Sequence, residues 1–202
     1  PVRSVTTTDT GVRIDAGGEP LHAAHLVLAT PPRPLRDIAF DPGLPAPVQA
    51  MVNGLDLGPA AKVITRYDRA FWREAGFSGL TVADLPFGVT WDATDSYDSG
   101  ASGILTAFVT ADGAVDLSQL DDDERIAEVQ RQVEQVYPEA RGLRSDEAAT
   151  TAWVNEPFTG GGYAVFAPGE VIPYWPALRE PAGSIHFAGE HTEALAGYME
   201  SA

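Results

Sequence analysis

Short apolar runs separated by turn residues dominate the chain, and they predict strands more often than helices. Residues 2–6 and "GVRID" (11–15) read as two strands around a turn at Asp9–Gly11. A second turn at Gly17-Gly18 leads to a buried strand over 26–29, which Pro31 and Pro32 end because neither can donate to a sheet ladder. A Pro-rich connection follows from Arg33 to Pro47, then a short helix over 47–54. "AKVITRY" (61–67), "GVTWDAT" and "GILTAFVT" are three further strands, the last apolar enough to be central. The clearest helix runs from Asp121 to Tyr137. Asp121 and Glu124 have capping-box spacing, Ile126, Val129, Val133 and Val136 recur at steps of three and four, and Pro138 stops it. "TTAWVNEPF", "GGYAVFAPG" and a buried 185–187 supply the late strands. The pattern is mixed α+β with much antiparallel sheet.

Composition narrows the function without choosing it. With 202 residues, 44% of them apolar, the chain can bury a sizeable core. Thirteen basic residues stand against 29 acidic ones, for a net charge of -16, which argues against binding nucleic-acid phosphates. Cysteine is absent, so disulfides, thiolate metal sites and a cysteine nucleophile are excluded. No apolar run approaches a membrane span, and a soluble, cytoplasmic protein is the expectation. A first residue of Pro1 is read as the mark of a processed, cleaved or trimmed chain.

Three features can carry chemistry. Lys62 lies in an apolar strand, either as an edge-strand gatekeeper or snorkelling side chain, or as an ammonium that positions a water or polarises a cofactor nitrogen. Gly160-Gly161-Gly162, before Tyr163, is either a flexible turn or a place where a flat ligand approaches the main chain; Trp153, ten residues earlier, says only that an aromatic core is near. The third is "SIHFAGEHTEALAGYMESA". A strand ending in Gly189-Glu190 can aim a carboxylate at sugar hydroxyls, and Gly197-Tyr198-Met199 would open a helix whose N-terminus favours negative charge. His191 is expected to be an exposed, incidental turn residue. The four histidines lack metal-ligand spacing, and neither a nucleophile elbow nor a G-x-G-x-x-G is present.

In order along the chain, these segments resemble the C-terminal half of the flavin-containing amine oxidase family, which includes monoamine, polyamine and L-amino acid oxidases. "HLVLATPP" is similar to the strand and turn beside the FAD. "AKVITRYDRAFW" matches the segment whose lysine precedes a Phe-Trp pair, here Lys62, Phe71 and Trp72. "AWVNEPFTGGGYAVFAPG" resembles the segment carrying a tryptophan and one aromatic-cage tyrosine, and "IHFAGEHT" with "GYMES" resembles the second FAD motif.

The resemblance implies the C-terminal part of a two-domain fold. A mixed sheet backed by helices would form part of a substrate domain (52–155), and strands from 1–51 and 156–202 would complete an FAD-binding domain. By the same resemblance Val2 contacts the adenine end of FAD, Glu190 after Gly189 bonds the ribityl or neighbouring hydroxyls, Met199 presents its main-chain amide to the flavin's pyrimidine edge, and Gly197 is a cofactor-binding position at the start of that helix. Trp153 borders the ring, Tyr163 and Tyr198 flank the substrate amine, and Lys62 holds a water against flavin N5. Gly162 stands where some monoamine oxidases carry the cysteine bonded to flavin, which implies noncovalent FAD. The loop from Glu190 to Gly197, one residue shorter than in monoamine oxidases, and "TVADLP" look closer to L-amino acid oxidases.

The implied reaction oxidises an amine or L-amino acid to its imine with dioxygen reduced to hydrogen peroxide. The family's dinucleotide motif and an amino-acid-binding arginine would lie in an N-terminal half that this sequence lacks, so the 202 residues by themselves are expected to be inactive. A homodimer is compatible with the resemblance. Two rival readings stand beside it: a flavin-dependent desaturase or protoporphyrinogen-type oxidase, and a non-catalytic ligand-binding module.

Overall fold

The computed structural model describes residues 1–97 and 100–193. Chain packing divides it into two compact units, one made of Pro1–Gly58 with the segment from Glu156 onward, the other of Pro59–Asn155. Among the described residues no helix is long and apolar enough to cross a membrane.

The first unit opens with β1 (Ser4–Thr8), β2 (Gly11–Asp15) and β3 (Leu21–Ala23), then β4 (Leu26–Leu28), α1 (Pro32–Leu35), β5 (Ala39–Asp41), α2 (Ala46–Gly54) and β6 (Asp56–Gly58). A four-stranded sheet has the order β3-β2-β1-β5. Gly11 is required at its first turn: φ is +143°, and a Cβ there would lie 2.1 Å from the Ala23 carbonyl oxygen. The first strand starts at Ser4 rather than Val2, which precedes it and is 37% exposed. The connection predicted as irregular from Arg33 to Pro47 holds α1 and β5. Pro32 does not merely end the preceding strand but starts α1, because a missing N–H costs nothing in a helix's first turn.

The second unit is built on β7 (Ala60–Tyr67), α3 (Phe71–Glu74), β8 (Thr81–Val82), β9 (Val89–Asp92), β10 (Gly103–Thr110), α4 (Ala111–Ser118), α5 (Asp122–Val136) and β11 (Arg144–Ala152). Its antiparallel sheet has the order β11-β7-β10-β9-β8. Alternation decides its two faces. Ala61, Val63, Thr65 and Tyr67 of β7 and Leu105, Ala107 and Val109 of β10 are buried on one face. They share a core with Ala114 and Leu117 of α4, with Val129 and Val133 of α5, and with Phe71 and Trp72. The capping box forms as expected: the Glu124 N–H donates to Asp121 Oδ1 (2.9 Å) and the Asp121 N–H to Glu124 Oε2 (3.2 Å).

Between the two helices sits Arg125, 5% exposed, donating to the carbonyls of Leu117 (3.0 Å) and Leu120 (2.8 Å) and to Asp122 (2.9 Å). A guanidinium can be buried there because it satisfies the orphan carbonyls at the end of α4. Asp92, whose side chain is 2% exposed, takes the Trp72 Nε1–H (2.8 Å) and the Arg73 Nε–H (2.7 Å). Burial pushes its carboxyl up, but the hydrogen bonds from Arg73, Trp72 and Thr94 outweigh this and hold it below its ordinary value.

The chain returns to the first unit with β12 (Tyr163–Val165), α6 (Val171–Arg179) and β13 (Ile185–Phe187). β12 pairs antiparallel with β6, and β13 pairs parallel with β4. Leu28 and Ile185 join Val5, Val12, Leu35, Met51 and Leu55 in that unit's core.

Candidate active site

The face of the second unit's sheet turned away from its helices carries an unusual side-chain set. Register places Phe108 of β10 and Thr151 of β11 directly across from Lys62 of β7. Trp91 of β9 pairs with Thr106, two residues from Phe108 on the same face. Trp153, two residues beyond Thr151, opens a 3-10 turn (Trp153–Asn155), although the sequence placed it inside a strand. The result is a lysine ringed by aromatics. Its Nζ lies 5.4 Å from the Trp91 ring centroid, 5.6 Å from Phe108 and 5.5 Å from Trp153, all within cation–π range. β7 is paired on both edges, so Lys62 is no edge-strand gatekeeper.

In the first unit the site features gather around Gly189. The Ala188 N–H donates to the Leu28 carbonyl (3.0 Å), which carries the β4–β13 pairing into the turn. Gly189 then adopts φ +118°, where a Cβ would lie 3.0 Å from His191 Cε1, so a bare backbone is required. A 3-10 turn (Glu190–Thr192) follows, closed by Thr192 Oγ1 donating to the Gly189 carbonyl (2.8 Å). The Glu190 carboxylate accepts the Ala164 N–H (3.1 and 3.2 Å), which fixes it against β12 beside Tyr163.

Two expectations change here. His191 is not an exposed turn residue: it is 4% exposed, its Nε2 has no hydrogen-bond partner among the described residues, and burial lowers its pKa to about 4, so it is neutral at pH 7. Within the glycine run, Gly160 and Gly161 are buried rather than loose, while Gly162 is exposed. A Cβ on Gly160 would lie 2.6 Å from Arg33 Cδ and one on Gly161 2.3 Å from Leu57 Cβ. Arg33 donates to the Gly160 carbonyl (3.0 Å) and the Gly162 N–H to the Gly58 carbonyl (2.9 Å), so the glycines let this segment pack on β6 and α1.

Of the residues singled out by sequence, Lys62 and Trp153 come together in one unit, while Glu190, Gly189 and the strand bearing Tyr163 come together in the other. Val2 stands outside β1, and Gly197, Tyr198 and Met199 lie outside the described residues. Trp91 and Phe108 were missed. Their strands were legible, but only the pairing register brings them to Lys62. Folding also joins His25 Nδ1 to His186 Nε2 at 3.1 Å, yet among the described residues no cluster of three metal-ligating side chains exists.

The flavin containing amine oxidoreductase family profile matches residues 1–202, and the chain belongs to that family. The flavin-containing amine oxidase of Danio rerio is 32% identical over 213 residues, covering 100% of this chain and 39% of that protein. The L-amino acid dehydrogenase of Synechocystis sp. is 29% identical, covering 100% of the chain and 43% of that protein. The solved structure of cyclohexylamine oxidase from Brevibacterium oxydans superposes with a TM-score of 0.85 at 26% identity, covering 96% of this chain and 43% of that one. The chain thus spans about two fifths of the length of these relatives.

Family membership makes FAD the cofactor. The residues present fit such a group: a backbone position that admits no side chain at Gly189, a carboxylate anchored beside it, and a buried imidazole nitrogen without a protein partner among the described residues.

Proposed function

We propose that the protein oxidises a primary or secondary amine, or an L-amino acid, to its imine. In this reaction a carbon–hydrogen bond α to nitrogen breaks with loss of a hydride equivalent, the nitrogen loses a proton, and dioxygen becomes hydrogen peroxide. FAD, when bound noncovalently, supplies the electron chemistry. The observation that carries the proposal is Lys62, an ammonium with no carboxylate partner among the described residues, held by ring faces on a sheet surface instead of in a salt bridge.

Each residue then has a task. Lys62 holds a water by hydrogen bonds from its ammonium, and Trp153 borders the cofactor ring beside it. Tyr163 and Tyr198 orient the substrate nitrogen so that its lone pair and the α-carbon are aligned for transfer. Gly189 lets the cofactor lie against main chain, and Glu190 accepts from its hydroxyls. Val2, Gly197 and Met199 complete the cofactor contacts. The relatives' names support both substrate classes, since amine oxidases and an L-amino acid dehydrogenase are among them. Residues 1–51 and 156–202 serve FAD binding and 52–155 substrate binding, and the remainder of a longer protein completes the enzyme.

Peroxide release by the intact protein over a panel of amines and L-amino acids tests this reading. Turnover with at least one class is expected, and no peroxide with any of them would favour a desaturase-type flavoenzyme. Lys62→Met is expected to slow amine turnover or flavin reoxidation with FAD retained. Unchanged rates in both half-reactions would remove Lys62 from the mechanism.

A further inference from the structure

Lys62 is the one lysine in a chain that carries twelve arginines. Most of the arginines make ion pairs, such as Arg73 with Asp92 at 2.7 Å and Arg66 with Glu147 at 2.8 Å. Lysine's compact ammonium sits on four rotatable bonds and loses its geometry unless something fixes it. A carboxylate would fix it, but would also occupy its N–H groups and cancel its field. Ring faces attract the same charge through their quadrupoles and leave the N–H protons available for a water or ligand.

The sheet builds such a holder from three strands. Phe108 faces Lys62 across the β10–β7 pair, and Trp91 reaches it from one strand further on. Trp91 and Phe108 also brace each other edge to face, with centroids 6.3 Å apart and planes at 65°. All are half-buried, where a cation–π contact is stronger than in bulk water. We infer that Trp91 and Phe108 are positioning residues for the oxidation: they hold the Lys62 ammonium in one place while leaving its protons free to act. The inference rests on the proposed role of Lys62.

The experiment uses the intact FAD-loaded protein, [13Cε]lysine labelling, and the variants Trp91→Phe, Trp91→Leu, Phe108→Leu and Lys62→Met. Loss of one NMR signal in Lys62→Met assigns Lys62, whose ε-protons are expected upfield from the ring currents. Trp91→Leu keeps the apolar bulk but removes the ring. It should move that signal toward the free-lysine position and slow the Lys62-dependent step about five- to tenfold, the scale of a partly desolvated cation–π contact. Trp91→Phe should restore both readouts to within about twofold. Phe108→Leu should behave as Trp91→Leu, more weakly. In the Lys62→Met background, Trp91→Leu should have no further effect on rate.

A signal unmoved by Trp91→Leu, equal rates in Trp91→Leu and Trp91→Phe, or additive losses in the double variant would overturn the inference. Failure of the underlying reading looks different: Lys62→Met would itself leave the rate unchanged, while the NMR signal would still report whether the rings hold the ammonium.

Discussion

Val63 and Val27 are the same residue in the same kind of element, yet their two sheets treat them oppositely. Val63, in β7, is 1% exposed, whereas Val27, in β4, is 62% exposed. β7 has a hydrogen-bonded neighbour on each edge and a helical layer on one face. β4 belongs to a two-stranded parallel pair, and parallel sheets occur almost only with both faces covered. Unpaired polar atoms follow the same division: the buried Trp175 Nε1 and His191 Nε2, without partners among the described residues, both belong to the first unit. The second unit closes its core with its own side chains. The first leaves these two buried nitrogens without protein partners among the described residues and Val27 uncovered.

The sharpest test of a closed core is Trp72, 0% exposed and packed edge to face on Phe71 and Tyr67. Trp72→Ala should destabilise by roughly 3–5 kcal/mol in urea denaturation, the usual range for a buried aromatic. A loss under about 1 kcal/mol would mean that the core is loosely packed.

The buried imidazole of the first unit predicts an acid dependence. His191 has its pKa lowered to about 4 from 6.5, so between those pH values the unfolded chain binds a proton that the folded one does not. Stability should therefore fall as pH drops through that window, by up to about 3 kcal/mol, and flatten below it. Denaturation midpoints measured across this range, for the wild type and for His191→Leu, check the point. An identical slope in the variant would show that the imidazole is not buried in its neutral form.

The valine pair gives the smallest effect and the most direct contrast. Val63→Ala should cost about 2 kcal/mol and Val27→Ala less than about 0.5 in the 202-residue chain. Equal costs would erase the distinction between the central strand β7 and the uncovered pair β4–β13.

Much of this was legible from local sequence. Asp121 and Glu124 announced α5 because capping chemistry acts over three residues, and Ile185–Phe187 read as a strand from composition alone. Other elements were hidden for physical reasons. α4 (Ala111–Ser118) contains a glycine and two aspartates and has no side-chain N-cap, so its helicity comes from packing Ala114 and Leu117 onto the sheet. His191 looked like a turn residue because burial is not a local property. The glycine run looked flexible because the atoms that forbid a Cβ, in Arg33 and Leu57, are more than a hundred residues away in sequence.

By itself the sequence determined the strand-rich pattern, the absence of cysteine chemistry and the motifs that resemble a flavin-dependent oxidase. Periodicity, capping and spacing act over a few residues and can be read there. Tertiary structure decided which side chains meet Lys62. Strand register is a long-range choice, and it set Phe108 across from the lysine, Trp91 one strand further and Trp153 at the end of β11. A shift of one residue in any pairing would turn those rings to the opposite face and leave the ammonium without them.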